Sequence, residues 1–344
     1  MNNELLDKIE VWRGPLAILV CISHGVQLSL PSPYWKYEIM KMWGPLAHFA
    51  VLVFFFISGI VINYTLEQKS NIKNKFLDYF ISRSTRIYPP LLFSIILIYL
   101  LKIVIIQLNI KTSTHNFDFT NRDVIAYFFM YKVSLGKVNA PLWSLILEWW
   151  FYFIGFLVFY LMKMKGIMKK SILITVMLTL IYYILKPLNE NIFTYFAIWI
   201  LGFLFFKYNM FNRLKKYYWI LLIVTLTYLF LVDNILTSGM DYSKVWYVQL
   251  TMVLFFISIL YLIPSNNFIK KSAKYSYTLY IIHYPLYLFF NALSYEFKPS
   301  INPLIILSVT TILIILISKF SAQFFENKYL FKKLIYQTIK SKNE

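Results

Sequence analysis

Ten apolar runs, each close to the length that crosses a lipid bilayer, occupy most of this chain of 344 residues. A helix needs about 20 mostly apolar residues to span the hydrocarbon layer. Such runs lie near 12–31, 43–64, 88–109, 141–162, 171–187, 191–207, 217–233, 245–264, 276–293 and 303–324. The composition closes the other routes. With 59% hydrophobic and only 14% charged residues and a mean hydropathy of +0.62, the chain is too apolar for a soluble globular domain and for a disordered one. Nine glycines exclude a collagenous repeat, and the lone Cys21 excludes a disulfide framework, so packing must hold the fold. The expected fold class is all-α, a polytopic membrane protein of about ten transmembrane helices.

The formal net charge of +19 invites a nucleic-acid reading, but its distribution follows the membrane instead. With the N-terminus placed in the cytoplasm, 23 of the 34 lysines and arginines fall on cytoplasmic segments and nine on outer ones. That bias predicts cytoplasmic N- and C-termini, with the basic loops facing anionic membrane lipids and no nucleic acid as partner. The first apolar run carries Arg13 and His24 and lacks a small-residue exit site, which predicts a retained helix, not a cleaved leader. A single membrane-embedded domain is expected over 1–344, its core about 10–326 and a basic cytoplasmic tail over 327–344. The longest connection, about 110–140, turns amphipathic from Val124 to Tyr131 and predicts an interfacial or re-entrant segment. Gly14-Pro15-Leu16-Ala17 and Gly44-Pro45-Leu46-Ala47 echo each other, and both are expected at helix starts, where proline fits the first turn.

Ionisable groups inside apolar spans are costly and mark candidate sites. Arg13 and His24 are 11 residues apart, almost three whole turns, so a helix places both on one face about 16 Å apart. The arginine would lie at the cytoplasmic edge and the imidazole near mid-membrane, a span that an extended phosphorylated carrier matches. Arg83 and Arg86, three apart, project from one helix face, and paired guanidinium groups suit phosphate; a plain positive-inside cluster explains them equally. Glu148, inside an apolar and aromatic run, requires a partner or a proton. His283 can line the same cavity or satisfy a local hydrogen bond. His48 and His115 are weaker candidates, and Cys21 reads as a small packing residue.

These segments resemble one family. The Arg13…His24 spacing, Phe54-Phe55-Phe56-Ile57-Ser58-Gly59, Arg83-Ser84-Thr85-Arg86-Ile87-Tyr88-Pro89, Leu142-Trp143-Ser144-Leu145 with Glu148, Phe151 and Tyr152, Ser276-Tyr277 with Tyr280 and His283, and the closing Phe325-Glu326 are similar to the integral-membrane acyltransferase-3 family of bacterial polysaccharide O-acetyltransferases. Leu52, Ser82 and Ile146 depart from its pattern. The resemblance implies transfer of an acetyl group from cytoplasmic acetyl-CoA, a co-substrate needing no metal, to a hydroxyl of a glycan or glycolipid acceptor at the other face of the bacterial cytoplasmic membrane. It further implies His24 as the catalytic histidine paired with Arg13, Arg83 and Arg86 on the donor, and Glu326 as a late glutamate of the site.

Acyl transfer to an alcohol needs a base, a group that orients the base, and donors for the developing oxyanion. His24 has the right intrinsic chemistry for the base. Glu148 is expected to orient it or to hold the acceptor, with Ser58, Gly59, Trp143, Ser144, His283 and Glu326 on substrate or cavity. Direct attack by the acceptor and an acetyl-imidazole on His24 are rival routes. A reading from another class is a multi-helix carrier or flippase for a sugar or glycolipid without acyl turnover; against it, the sequence has no inverted repeat and no paired broken helices.

Overall fold

The computed structural model describes residues 3–30, 33–68, 75–110, 117–131, 138–185, 189–236, 245–262, 264, 266–297, 301–327, 329, 331 and 333. Thirteen α-helices occur among them, and no strand. They are α1 (Asn3–Ser29), α2 (Pro33–Gln68), α3 (Lys75–Gln107), α4 (Asn121–Phe128), α5 (Trp143–Lys163), α6 (Ile167–Leu180), α7 (Ile192–Lys207), α8 (Met210–Leu214), α9 (Tyr218–Leu236), α10 (Trp246–Leu262), α11 (Asn267–Ala273), α12 (Ser276–Phe297) and α13 (Pro303–Phe325). A one-turn 3-10 segment (Ala140–Leu142) leads into α5, and a π-helical turn (Ile181–Leu185) continues α6. Every predicted apolar run falls on one of the ten longer helices. Four segments, Trp43–Gln68, Phe76–Gln107, Ala140–Lys163 and Pro303–Phe325, are long and apolar enough to cross a membrane, and Ile192–Lys207, Tyr218–Leu231 and Trp246–Leu262 are shorter apolar helices. His115 and nearly all of the basic tail over 327–344 lie outside the described residues.

The two Gly-Pro-Leu-Ala segments correct the sequence reading. Pro15 and Pro45 stand inside α1 and α2, not in their first turns. Polar residues such as Asn3, Glu4, Asp7 and Lys8 extend α1 well ahead of its apolar run, and α2 likewise begins at Pro33. Hydropathy marks where a helix enters lipid and is blind to such polar extensions.

The described chain divides into two compact units. The first holds Met1–Arg13, His48–Lys75 and Leu147–Lys270. Its tightest contact is the crossing of α2 and α7. A Cβ on Gly59 would lie 2.1 Å from the carbonyl oxygen of Trp199, and one on Gly202 would lie 2.0 Å from that of Phe56. Two glycines thus let two backbones touch, the packing that small residues give helices in lipid. Around the crossing, Trp199 Nε1 donates to Ser58 Oγ (3.3 Å) and Asn63 Nδ2 to the Phe203 carbonyl (2.7 Å). At the start of α1, Lys8 Nζ donates to the Leu260 carbonyl near the end of α10 (2.8 Å), and Asp7 pairs with Lys270 (2.8 Å).

The second unit holds Gly14–Ala47, Phe76–Ile146 and Lys271–Glu344. Here α1 and α12 run parallel, with Gly25 against the Tyr287 ring and Ser29 Oγ donating to Asn291 Oδ1 (3.1 Å), while Gly14 meets Ser272 of α11. Cys21 Sγ donates to the Tyr287 hydroxyl (3.8 Å), which also bonds Thr311 of α13 (2.6 Å). Pro285 lies inside α12; it has no N–H, so the Ile281 carbonyl four residues earlier loses its helical partner. Asn139 supplies the missing donor through Nδ2 at 2.7 Å. Ahead of it, α4 starts with a reciprocal cap between Thr120 and Asp123. It lies antiparallel to α3, with Asn121 bonded to Tyr99 (3.0 Å) and Phe128 against Tyr88 (ring centroids 5.3 Å). The amphipathic segment read from the sequence is therefore a short helix that doubles back along α3.

These contacts set the expected stability of three variants. Gly202→Leu should destabilise the purified protein by about 1–3 kcal/mol, because the new side chain meets backbone that cannot yield. Gly44→Ala, at a glycine with nothing within 4 Å, should leave the thermal unfolding midpoint in detergent unchanged. Asn139→Leu should also lower that midpoint, by about 1–3 kcal/mol of stability, since it orphans the Ile281 carbonyl.

Candidate active site

Helix α12 organises the second unit. Tyr277, Tyr280, His283, Tyr284, Tyr287 and Asn291 recur at three- and four-residue steps and form one stripe of the helix. Each makes a contact that fixes a residue from another segment. The stripe arises because an otherwise apolar helix here carries aromatic residues with polar tips, which bury their rings while their hydroxyls find partners.

At the middle of the stripe, the His24 imidazole of α1 stacks on that of His283, with ring centroids 5.4 Å apart and planes at 28°. The Tyr284 ring meets His24 edge-on at 5.4 Å and 82°. His24 Nδ1 donates to Gln27 Oε1 one turn further along α1 (3.1 Å). His283 Nδ1 donates to the Leu279 carbonyl within α12 (3.1 Å). With both Nδ1 positions engaged as donors, each neutral ring carries its lone pair on Nε2. His24 is half-buried, whereas His283 has no exposed surface and its Nε2 meets no partner among the described residues. One imidazole is thus accessible, and the other is sealed behind it.

Toward the N-terminus of α12, the hydroxyls of Tyr280 and Ser144 lie against each other, and both reach the Pro141 carbonyl (3.0 and 3.2 Å). Ser144 and Trp143 form the first turn of α5, and the Tyr280 ring stands 5.9 Å from that of His283. Glu326, at the end of α13, accepts the backbone N–H of Thr278 through Oε1 (2.7 Å), a favourable place for a carboxylate at a helix N-terminus. One residue earlier, Tyr277 lies under the Arg86 guanidinium, whose Cζ is 5.9 Å from the ring centroid. Arg83 is buried, with its Cζ 5.7 Å from the Tyr79 ring. Of the residues singled out from the sequence, His24, His283, Ser144, Glu326 and Arg86 therefore meet α12 or the residues it bonds.

Arg83, Trp143 and Cys21 also lie in the second unit, whereas Ser58, Gly59, Glu148, His48 and Arg13 lie in the first. Gly59 is at the α2–α7 crossing, and Ser58 accepts from Trp199. Glu148 accepts a hydrogen bond from the Tyr152 hydroxyl one turn along α5. His48 faces the Tyr195 ring, with centroids 6.1 Å apart. Arg13 stands on α1 eleven residues before His24. Gln27, whose Oε1 accepts from His24 Nδ1, and Tyr284, edge-on to the His24 ring, were not singled out from the sequence. The three-residue step from His24 to Gln27 was the available signal, since such a pair meets on a helix face.

The match to known proteins rests on the whole chain, not on this cluster. A family model described as an acyltransferase domain, that of the acyltransferase-3 family, matches residues 6–319. No curated protein and no solved structure matches the chain. A match over so much of the sequence runs from the first turn of α1 into α13, and the chain belongs to the acyltransferase-3 family of membrane acyltransferases.

Proposed function

We propose that this protein moves an acetyl group from cytoplasmic acetyl-CoA to a hydroxyl of a glycan or glycolipid on the far side of the bacterial cytoplasmic membrane. The observation that carries the proposal is the His24 ring, half-buried and oriented through an Nδ1 that donates to Gln27, which leaves the lone pair of the neutral ring on Nε2. In this reading Nε2 takes the proton of the acceptor hydroxyl as that oxygen attacks the thioester carbonyl. The carbon–sulfur bond then breaks, and the leaving thiolate recovers the proton from the His24 imidazolium. No atom is left over. The sum is acetyl ester plus coenzyme A.

In this scheme Arg13, Arg83 and Arg86 each offer a guanidinium to the donor's phosphates from the cytoplasmic half of α1 or α3. The 11-residue step from Arg13 to His24 gives the donor about 16 Å between its charged end and its thioester. Ten crossings with both termini in the cytoplasm fit this polarity. Parallel α1 and α12 support it, because two helices running the same way across a bilayer are separated by an odd number of crossings, and seven of the predicted runs lie between them. Anionic lipids then face the basic loops.

The test is turnover by purified protein in detergent with radiolabelled acetyl-CoA and a glycan acceptor, read as acceptor-dependent release of coenzyme A. His24→Ala should lower kcat by about 10²–10⁴-fold, the range for loss of a general base; near-normal turnover in that variant overturns the reading. Counterflow of a sugar without coenzyme A release would instead identify a carrier.

Gln27→Leu should cost about tenfold or more in kcat, since the hydrogen bond strengthens when His24 becomes cationic, and Gln27→Glu should retain most activity because it keeps the acceptor oxygen. Cys21→Ser should turn over nearly as wild type, because Cys21 is a buried packing residue whose thiol is engaged by Tyr287.

A further inference from the structure

The sealed imidazole behind His24 has no task in the scheme above. Its geometry gives it one. His283 cannot reach an acceptor, because its side chain has no exposed surface. Its Nδ1–H is committed to the Leu279 carbonyl (3.1 Å). A proton on Nε2 would be a buried donor with no acceptor among the described residues, so hydrogen bonding selects the neutral ring. That neutral ring presents its face to His24 at 5.4 Å and 28°, inside the distance at which an aromatic face attracts a cation. Tyr284 and Tyr280 hold the two sides, the first edge-on to both imidazoles (5.4 Å to His24, 6.4 Å to His283) and the second 5.9 Å from His283.

We propose that His283 is a positioning residue that acts through its ring face: it stays neutral and stabilises the imidazolium that His24 becomes as it accepts the acceptor's proton. The inference rests on His24 being the base. It assigns His283 no proton transfer of its own. The stabilisation exists only while His24 carries charge, so it strengthens in the transition state relative to the bound ground state and belongs to kcat, not to KM. A relay role for His283 makes the opposite demand, namely a titratable nitrogen at this position.

Three variants of the full-length protein separate these demands, assayed as above after gel filtration and thermal melting confirm folding. His283→Leu and His283→Gln remove the aromatic face. Each should lower kcat about tenfold to thirtyfold, as expected for losing a desolvated cation–π contact, with KM for acetyl-CoA within about twofold. His283→Phe keeps the face and has no nitrogen; it should keep about a third or more of kcat. In a His24→Ala background, His283→Leu should change the residual rate by less than about twofold, because the two effects share one interaction. A folded His283→Phe as inactive as His283→Leu overturns the proposal, as does a loss confined to KM. If His283→Leu fails to fold, the Phe and Gln pair decides alone. Failure of the wider reading looks different, because His24→Ala itself would then turn over normally.

Discussion

The second unit depends on the seam between α1 and α12. Two parallel helices approach closely there because Gly25 stands where a side chain would collide: a Cβ on it would lie 2.4 Å from the Tyr287 ring, and one on Gly14 would lie 1.6 Å from Ser272 Oγ of α11, just ahead of α12. Between and beyond those contacts, polar groups are paired across the seam or along it. Cys21 bonds Tyr287, His24 stacks on His283, and Ser29 bonds Asn291. Buried polar groups that lack partners are expensive, so each pair specifies the register of the two helices. The same register puts an imidazole in the middle of the wall.

Proline shapes the other side of that wall. Pro285 removes one hydrogen bond from α12 two residues past His283, and a proline inside a helix ordinarily bends or weakens it. The lost donor returns from Asn139, whose amide reaches the Ile281 carbonyl. Asn139 leads directly into the turn that sets Ser144 against Tyr280. The segment from α4 to α5 is thereby tied to α12 at two levels, by an amide on a bare carbonyl and by a pair of hydroxyls. Such ties hold aromatic side chains in one rotamer, which is what a preorganised site requires.

The helices were legible because apolar runs about 20 residues long leave a chain few alternatives. His24 and His283 were legible for the related reason that imidazoles are rare in such runs. The contacts of Ser58 and Gly59 were not, because a serine–glycine pair in an apolar helix has the same sequence signature at a cavity as at a helix crossing. Only the partner helix tells them apart, and Gly202 lies 143 residues after Gly59. Gln27 escaped notice because an uncharged amide near the end of an apolar run is unremarkable by composition. Glu148 drew attention by its charge, yet its hydrogen bond comes from Tyr152, four residues along the same helix. Charge flags the cost of burial; it does not identify the partner that meets the cost.

Pairing across the seam also bears on the choice between an acyltransferase and a carrier. A carrier alternates its access by moving one set of helices against another around a fixed site, and the groups at the moving surface must release one another in each cycle. Along α1 and α12, release would strand the Ser29 and Asn291 side chains, the Cys21–Tyr287 pair and the stacked imidazoles together. An acyl-transfer site gains from the opposite property. Its base, the hydrogen bond that orients the base and the surface that meets the developing charge act best when already in place as the proton moves. In the proposed mechanism His24, Gln27 and His283 have that arrangement, with one partner on the ring edge and one on the ring face. The glycine at 25 is what allows the two helices to close tightly enough to keep it.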